Sequence, residues 1–365
     1  MSEWQTFCLK DLVKIFGGST PPTNNPKNYG NKIRWITAKD LSTLQGRYIK
    51  KGSRSISRLG FKSCSTFLLP KHAILFSVRA PIGYTAIISK RSCTDRGLMG
   101  LVPNKKIYFE FLYYLLKYHK DNISNMGVGT TFKGISKPAL GLFQVKIPPT
   151  YYEQQKIART LSVLDQKIEN NHKINELLHN FAHKIYEYYF KYKPKNAKLE
   201  QIIIENPKSS IMVKNAQKTQ DKYPFFTSGD NTLSYPKAII DGRNCFLNTG
   251  GNAGIKFYVG KASYSTDTWC IGANEFSDYL YLLLSSIKTH INQSFFQGTS
   301  LKHLQKNLLK KYPIYMPSAH EIKKFNQIIM PLLTLISINT RTSKKLEQIR
   351  DFLLPLLLKQ QVKPQ

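Results

Sequence analysis

The chain has 365 residues, of which 41% are hydrophobic, so it is long enough and apolar enough to build two or more folded domains. This composition excludes a disordered or fibrous protein. The formal net charge of +32 favours a polyanionic partner, with nucleic acid ahead of a membrane surface. Lysine outnumbers arginine 43 to 11, an excess that an AT-rich genome also produces, so the charge alone does not identify the partner.

The sequence predicts a cytoplasmic protein without a membrane span. Residues 1–20 lack the continuous apolar core of a signal peptide. The longest apolar run, 328–338, is about half the ~20 residues that cross a bilayer. Five widely spaced cysteines include no Cys-x-x-Cys pair, which predicts reduced thiols rather than disulfides or a zinc site.

In chain order, the sequence alternates two globular stretches with two helical ones. Residues 1–150 form the first globular stretch, and a long helix with its linker follows at 151–195. Residues 196–317 form the second globular stretch, and 318–365 carry a second long helix. The predicted fold class is therefore α+β, with two mixed domains joined by two long helices.

Several elements can be placed inside the globular stretches. Short β-rich runs are separated there by Gly, Pro and Asn clusters, and each stretch contains one aromatic segment of helical length. The predicted strands are 32–37, 73–78, 84–88 and 245–248, and the predicted helices are 109–118 and 276–287.

The second half of the chain repeats the first at a constant offset of 169 residues. Residues 129–149 match residues 298–318, and each segment ends in proline before a long helical pattern. This is one duplication of about half the chain, not a short-period solenoid. The matched pairs are Gly129 and Gly298, Thr130 and Thr299, Lys133 and Lys302, Lys137 and Lys306, Leu140 and Leu309, and Pro148 and Pro317.

A heptad pattern marks each long helix. Side chains recur in alternating steps of four and three residues over more than four heptads, which is typical of a coiled-coil seam. We expect the two helices to pair antiparallel; the alternative is that each packs on its own globular stretch. Pro331 predicts a kink or a delayed start of the second helix. The predicted seam comprises Ile157, Leu161, Leu164, Ile168, Asn171, Leu178, Ile185, Phe325, Ile329, Leu332, Ile336, Asn339, Leu346 and Leu353.

The distribution of charge favours the globular stretches as the nucleic-acid face. Residues 1–150 carry 24 Lys and Arg against 6 Asp and Glu, and residues 196–317 carry 14 against 8. Seven of the 11 arginines lie in the first stretch, and arginine suits bidentate contacts to guanine and phosphate. The candidate DNA contacts are Ser19, Thr20, Lys39, Arg47, Arg54, Arg58, Arg79, Arg96, Lys133, Ser228, Arg243, Asn252, Lys256 and Lys302.

Motifs that would indicate an enzyme are incomplete. The two Pro-Pro pairs lack the flanks of a methyltransferase motif, and the glycine-rich segment 250–256 lacks the spacing of a P-loop. We expect that segment to allow a close backbone approach, with a phosphate as one option. His179 and His183 lack a third metal ligand, and Glu321 suits a helix start. The sequence therefore predicts no catalytic residue, no metal and no cofactor bound by this chain.

Several motifs resemble those of one protein family. Gly17-Gly18-Ser19-Thr20-Pro21, followed by Ile33-Arg34-Trp35-Ile36 and Asp40-Leu41, looks like the start of a target-recognition domain. Ala73 to Arg79 with Ile82-Gly83 is similar to a later segment of such domains. Ile147-Pro148-Pro149 and Glu153-Gln154-Gln155-Lys156-Ile157, followed by Leu164-Asp165, resembles the beginning of a conserved helical region. Across nearly the whole chain, the sequence resembles specificity subunits of Type I restriction–modification systems.

The second half departs from the family pattern. Its helix boundary reads Met316-Pro317-Ser318 and Glu321-Ile322-Lys323, without Pro-Pro or Glu-Gln. Its domain start, 198–202, has no Gly-Gly-Ser-Thr-Pro. The recognition role of the second domain is therefore less strongly indicated than that of the first.

The resemblance implies a sequence-specific DNA-binding subunit that performs no chemistry. Each domain would read half of a bipartite double-stranded DNA site, while the helices set the spacing and dock two DNA methyltransferase subunits. S-adenosylmethionine, ATP and Mg would belong to partners, among them restriction and translocase subunits. The alternatives are a specificity subunit of a Type II-like methyltransferase–nuclease, a stand-alone nucleic-acid-modifying enzyme, and a non-catalytic RNA-binding protein.

Overall fold

The structure is a computed structural model that describes residues 3–79, 81–129, 133–216 and 222–364. Its contacts divide the chain into two units. Unit 1 contains Met1–Asn170 and Ser343–Gln365, and unit 2 contains Asn171–Thr342. Each long helix therefore contributes one part to each unit.

The strands of unit 1 are β1 Gln5–Cys8, β2 Val13–Gly17, β3 Tyr29–Ile36, β4 Tyr48–Ile49, β5 Arg54–Ile56, β6 Ile74–Ser77, β7 Thr85–Ile88, β8 Cys93–Thr94, β9 Leu98–Pro103 and β10 Gln144–Ile147. They form a five-stranded sheet of order β2-β9-β6-β7-β4, in which only the β4–β7 pair is parallel. A three-stranded sheet, β5-β3-β8, and the antiparallel pair β1-β10 accompany it. The helices are α1 Leu9–Leu12, α2 Ala38–Ser42, α3 Arg58–Lys62, α4 Phe109–Tyr118, α5 Lys120–Asn125, α6 Lys137–Leu142 and the long helix α7 Tyr151–Phe190.

The apolar run around β6 explains why this strand is central. Ile74 and Phe76 point into the core that contains α4, whereas Ala73 and Leu75 point into a second core on the other face of the sheet. A strand covered on both faces needs a continuous apolar run rather than an alternating pattern. The predicted strand 73–78 and helix 109–118 therefore occupy the centre of unit 1.

Unit 2 repeats this plan with a four-stranded antiparallel sheet of order β12-β18-β15-β16. Its three-stranded sheet, β14-β13-β17, includes a parallel pair, as does β5-β3-β8 in unit 1. The strands are β11 Ala197–Lys198, β12 Ile204–Glu205, β13 Tyr223–Phe226, β14 Leu233–Tyr235, β15 Arg243–Asn248, β16 Ile255–Val259, β17 Ser263–Tyr264, β18 Thr268–Gly272, β19 Phe296–Gln297, β20 His303–Leu304 and β21 Pro313–Ile314. The helices are α8 Val213–Ala216, α9 Ser277–Ser286, α10 Lys288–Ser294, α11 Lys306–Lys310 and the long helix α12 Ala319–Leu358.

The long helices pair antiparallel inside each unit. In unit 1, Arg350 Nη1 donates to Asp165 Oδ1 at 2.7 Å. In unit 2, Asn339 Nδ2 donates to Asn175 Oδ1 at 2.9 Å, and the rings of Tyr189 and Phe325 lie 5.9 Å apart. Residue numbers rise on α7 as they fall on α12, so the predicted antiparallel pairing is confirmed.

The predicted seam lies between the helices and the globular parts. None of its fourteen residues is exposed, and Ile157, Leu161, Phe325 and Ile329 are fully buried. Ile157 and Leu161 share one core with α4 and with Leu357 of α12. The helices thus pack on each other and on the globular parts, so the two packing alternatives occur together.

Pro331 does not delay the second long helix. Helix α12 begins at Ala319, twelve residues before the proline, and continues to Leu358. The expected delayed start is therefore wrong. Pro331 is exposed, so the carbonyl that loses its helical donor there can bind water instead.

Candidate nucleic-acid interface

Loops that are distant in sequence meet at one end of the main sheet of unit 1. Gly18 N donates to Leu98 O at 3.1 Å, and Ser19 N donates to Thr94 O at 3.0 Å. Val78 N donates to Gly97 O, and Ile135 N donates to Val78 O. We call this surface, residues 18–20, 78–79, 94–97 and 133–135, the loop end of unit 1.

Gly18 allows two of these loops to approach each other. A Cβ atom at this position would lie 1.9 Å from the backbone oxygen of Asp95, so any other residue would push the loops apart. Gly18 of the Gly-Gly-Ser-Thr segment is thus a packing requirement of the loop end, whereas a Cβ at Gly17 would meet nothing within 4 Å.

The small sheet β5-β3-β8 joins the loop end and brings Arg54 to it. Asp95 N donates to Ile36 O, and Trp35 Nε1 donates to Ser19 O at 3.2 Å. The Arg54 guanidinium lies 4.1 Å from the ring centroid of Tyr29. Stacking on an aromatic face holds a guanidinium in place while leaving its N–H groups free to bind a partner.

Most of the candidate DNA contacts of unit 1 lie on or beside this surface. Ser19 and Thr20 are half-buried, and six basic residues are exposed. Within the described part of the chain, none of the six lies within ion-pairing distance of a carboxylate. The six are Lys39, Arg54, Arg58, Arg79, Arg96 and Lys133.

Arg47 does not belong to this surface, which corrects the sequence-based assignment. Its side chain is only 3% exposed, and Nη1 lies 3.2 Å from Glu110 Oε1. Its backbone N and its Nε both donate to Glu169 Oε1. Burial opposes the charge, but the surrounding anionic groups outweigh burial and raise the pKa of Arg47 above its ordinary value. Arg47 is therefore bound to carboxylates in the interior of unit 1.

Unit 2 has a corresponding loop end, formed by residues 227–230, 249–254, 265–267 and 297–303. Thr249 N and Oγ1 both donate to Asp267 O, and Ser228 Oγ donates to the same oxygen. Gly251 N donates to Lys302 O at 2.8 Å. The bond from Gly251 joins the loop after β15 to the β19–β20 hairpin. The bond from Ile135 N to Val78 O joins two loops of unit 1 in a similar way.

Glycine recurs in the Gly-Thr motif of each unit because the backbone there has a positive φ. Gly298 has φ +139°, and a Cβ there would lie 2.5 Å from Leu301 O. Gly129 has φ +133°, in the same region that favours glycine. Thr130 lies outside the described residues.

Lys256 binds backbone oxygens within the loop end of unit 2, contrary to its predicted role as a DNA contact. Its Nζ donates to Thr227 O at 2.6 Å and to Gly229 O at 2.5 Å. Burial lowers the pKa of its ammonium group. The group is therefore committed to backbone oxygens, while Asn252 and Lys302 are exposed and Ser228 is half-buried.

The glycine-rich segment approaches its own chain. A Cβ at Gly254 would lie 2.3 Å from Asn248 Nδ2, and Asn248 Nδ2 donates to Asn252 O. The close backbone approach expected from the sequence is thus made to Asn248.

Arg243 is also removed from the candidate interface. It begins β15, whereas the loop end follows the last residue of that strand. Its guanidinium binds both carboxylate oxygens of Asp278, with Nε 2.6 Å from Oδ2. Nη1 donates to Thr334 Oγ1 at 2.9 Å. Arg243, the only arginine of residues 196–317, therefore lies at the end of β15 that is opposite to the loop end.

The remaining motifs have structural roles. His179 Nδ1 lies 3.3 Å from the Tyr281 hydroxyl, and the two rings contact each other. Glu321 accepts hydrogen bonds from Ser318 N and Oγ at the start of α12, which lowers its pKa to about 2. Within the described ranges, no cluster of three His, Cys, Asp or Glu could hold a metal ion, and no helix could cross a membrane.

Sequence reasoning missed the acidic partners of the buried arginines. Glu110 and Asp278 each occupy the second position of a ten-residue helix, and they are 168 residues apart. The signal was present, because the heptad positions of the long helices repeat at 168 residues as well, one fewer than the offset of the Gly-Thr segments, as in Ile157 and Phe325. An acidic residue repeated within an otherwise apolar helix predicts a buried cationic partner.

These features define a class: an internally duplicated protein in which two mixed α/β parts share an antiparallel pair of long helices. The profile of the family described as "Type I restriction modification DNA specificity domain" matches residues 1–180 and 195–348, and the chain belongs to this family.

Individual relatives agree with this assignment. The MjaIX specificity subunit of a type I restriction enzyme from Methanocaldococcus jannaschii is 29% identical over 98% of this chain and 93% of its own length. The HindI specificity subunit from Haemophilus influenzae is 27% identical over 46% of this chain and 37% of its own. A crystal structure of a type I system S subunit from M. genitalium has a TM-score of 0.64 at 18% identity, over 97% of this chain and 96% of that one, so the two share a fold.

Proposed function

We propose that this chain is the DNA-specificity subunit of a type I restriction–modification complex. The observation that carries the proposal is the duplicated loop end, which in unit 1 contains the exposed Arg79 and Arg96 and lies beside the exposed Arg54; within the described residues, none of the three lies within ion-pairing distance of a carboxylate. Guanidinium groups suit bidentate contacts to guanine edges and to phosphates. Each loop end reads one half of a bipartite site on double-stranded DNA.

The paired helices set the spacing between the half-sites and dock two DNA methyltransferase subunits. Ile174, Leu177 and Phe181 recur on α7 at steps of three and four residues and are 43%, 68% and 54% exposed. An exposed apolar stripe of this kind suits a protein partner. Restriction subunits that translocate DNA join the same complex.

The chain contributes recognition and no chemistry. S-adenosylmethionine binds to the methyltransferase subunits, and ATP and Mg bind to partner subunits as well. Support comes from the sequence, in which the methyltransferase and P-loop motifs are incomplete.

Reconstitution tests the division of labour. The purified chain is incubated with S-adenosylmethionine and genomic DNA, alone and with its modification subunits. We expect methyl transfer only in the mixture, at one bipartite motif. Transfer by the chain alone, after rigorous removal of partners, would overturn the non-catalytic role. A mixture that methylates DNA without a motif would overturn the specificity role.

A further inference from the structure

Each unit contains one arginine that is bonded both to the globular part and to the long helices. In unit 1, Arg47 contacts Glu110 of α4 and Glu169 of α7. Tyr48 and Tyr108 donate their hydroxyl hydrogens to the two oxygens of Glu110, so this carboxylate is fully engaged. Arg47 therefore binds both α4 and α7, and Tyr48 of β4 shares the Glu110 carboxylate with it.

The network in unit 1 extends to the second long helix. Tyr114 of α4 donates its hydroxyl hydrogen to Asp165 Oδ2 at 2.6 Å, and Arg350 of α12 donates to Asp165 Oδ1. Arg47 Nε lies 4.0 Å from Asp165 Oδ2. Charged hydrogen bonds are directional, so this network fixes the angle between the globular part and the helices of unit 1.

Unit 2 makes the same kind of contact from a different place in the chain. Arg243 binds Asp278 of α9 with two hydrogen bonds and reaches Thr334 Oγ1 and Met330 O on α12. Asp278 is only 2% exposed. Arg47 precedes an edge strand, β4, whereas Arg243 begins a central strand, β15. The two arginines therefore lie at different strands of the fold, although their partners, Glu110 and Asp278, occupy equivalent positions in α4 and α9.

We propose that Arg47 and Arg243 are positioning residues that hold the loop end of their own unit at a fixed angle to the paired helices. The assignment rests on the proposed function and deepens it, because a fixed angle restricts which spacings between half-sites the complex accepts. Apolar packing is non-directional and could supply stability alone, whereas buried ion pairs commonly add orientation rather than stability. Neither arginine contacts DNA.

The test uses the complete complex with its modification subunits and maps methylation across a genome. Arg47→Met and Arg243→Met keep an unbranched apolar side chain, two atoms shorter than arginine, but remove the directional bonds. Glu110→Gln and Asp278→Asn are milder variants that keep the shape of the acceptor. Arg91→Met, at an exposed arginine of unit 1, is the matched control.

Both half-site sequences should stay as in the wild type, while the preference for the wild-type spacer over spacers one base pair longer or shorter should fall about tenfold, or about 1.4 kcal/mol. The control should keep the wild-type preference. Circular dichroism identifies any variant that fails to fold. If Arg47→Met fails to fold, Glu110→Gln decides the outcome for unit 1, and if Arg243→Met fails to fold, Asp278→Asn decides it for unit 2.

Two results would overturn the assignment. One is an unchanged spacer preference in folded variants of both units. The other is a changed half-site sequence, which would make the arginine a base-reading residue. A wild-type complex that recognises no bipartite motif would instead overturn the proposed function, and the assignment with it.

Discussion

The two units present different chemistry on the same scaffold. Unit 1 exposes Arg54, Arg58, Arg79 and Arg96, of which Arg79 and Arg96 belong to its loop end. Unit 2 has two arginines: Arg243 is bound to Asp278, and Arg341 lies on α12 over the ring of Tyr258. Its loop end offers hydroxyl, amide and ammonium groups instead. The duplication thus preserves the frame of the loops while their side chains diverge, as expected when function lies in the loops.

The contacts between the long helices differ in the same way. Unit 1 joins them through the buried ion pair of Asp165 and Arg350, whereas unit 2 uses the amides of Asn175 and Asn339. Removing one partner of a buried ion pair leaves an uncompensated charge, which costs more than losing a neutral hydrogen bond. The helix pair should therefore respond unequally to equivalent substitutions.

The largest effect is expected from Asp165→Ala. It removes the acceptor of the Tyr114 hydroxyl and the buried one of the two carboxylates that Arg350 binds, leaving only the exposed Asp351, and should destabilise unit 1 by about 3–5 kcal/mol. Asn339→Ala, the matched change in unit 2, should cost about 1–3 kcal/mol. Hydrogen exchange resolved by peptide measures each unit separately. Equal losses in the two units would contradict the difference between their helix contacts.

A smaller effect is expected from the exposed arginines. Arg54→Ala, Arg58→Ala, Arg79→Ala and Arg96→Ala each test whether a guanidinium reads a base, since a bidentate pair is worth about 1–3 kcal/mol of discrimination. We expect at least one of them to relax one half-site and leave the other intact. Asn252→Ala should relax only the opposite half-site. Methylation sequencing distinguishes these outcomes, and relaxation of both half-sites by one substitution would contradict a separate role for each unit.

The smallest effect is expected in the salt dependence of DNA binding. Lys302 is exposed, so Lys302→Gln should reduce the slope of log affinity against log salt by about 0.9 if the side chain contacts a phosphate. Lys256 binds backbone oxygens, so Lys256→Gln should weaken binding by disturbing the loops while leaving the slope unchanged. Titrations at several salt concentrations check both variants. A lower slope for Lys256→Gln would return this residue to the DNA surface.

Local sequence patterns predicted the main helices and the repeated plan of the two units. The aromatic helix at 109–118 agrees with the structure residue by residue, and the heptad seam lies at the helix contact. These features depend on periodicity within one segment, which a single sequence displays. The duplication predicted that the same plan would occur twice, even though the second domain start lacks the Gly-Gly-Ser-Thr-Pro segment.

The roles of the basic residues could not be predicted in the same way. Arg47 meets Glu169, which is 122 residues away in the chain, and Arg243 meets Thr334 at a separation of 91. A sequence reports the charge of a residue but not the carboxylate that the fold brings to it. Arg47, Lys256 and Arg243 therefore looked like Arg58 and Lys302, although they are engaged in the interior.

In the proposed function, the two loop ends read the two half-sites of one DNA motif, and the paired helices set the spacing between those half-sites. Deleting residues 168–174 and 340–346 together removes one heptad from each helix along the pairing defined by Asp165–Arg350 and Asn175–Asn339, and brings Glu176 to the helical position of Glu169, the partner of Arg47. Genome-wide methylation is then compared in cells without the chain, with the wild type and with the deletion. We predict no motif without the chain, and for the deletion the same half-sites separated by about three fewer base pairs, since seven residues span about 10 Å. Methylation of the motif in cells lacking the chain, or an unchanged spacer with the shortened helices, would contradict the account.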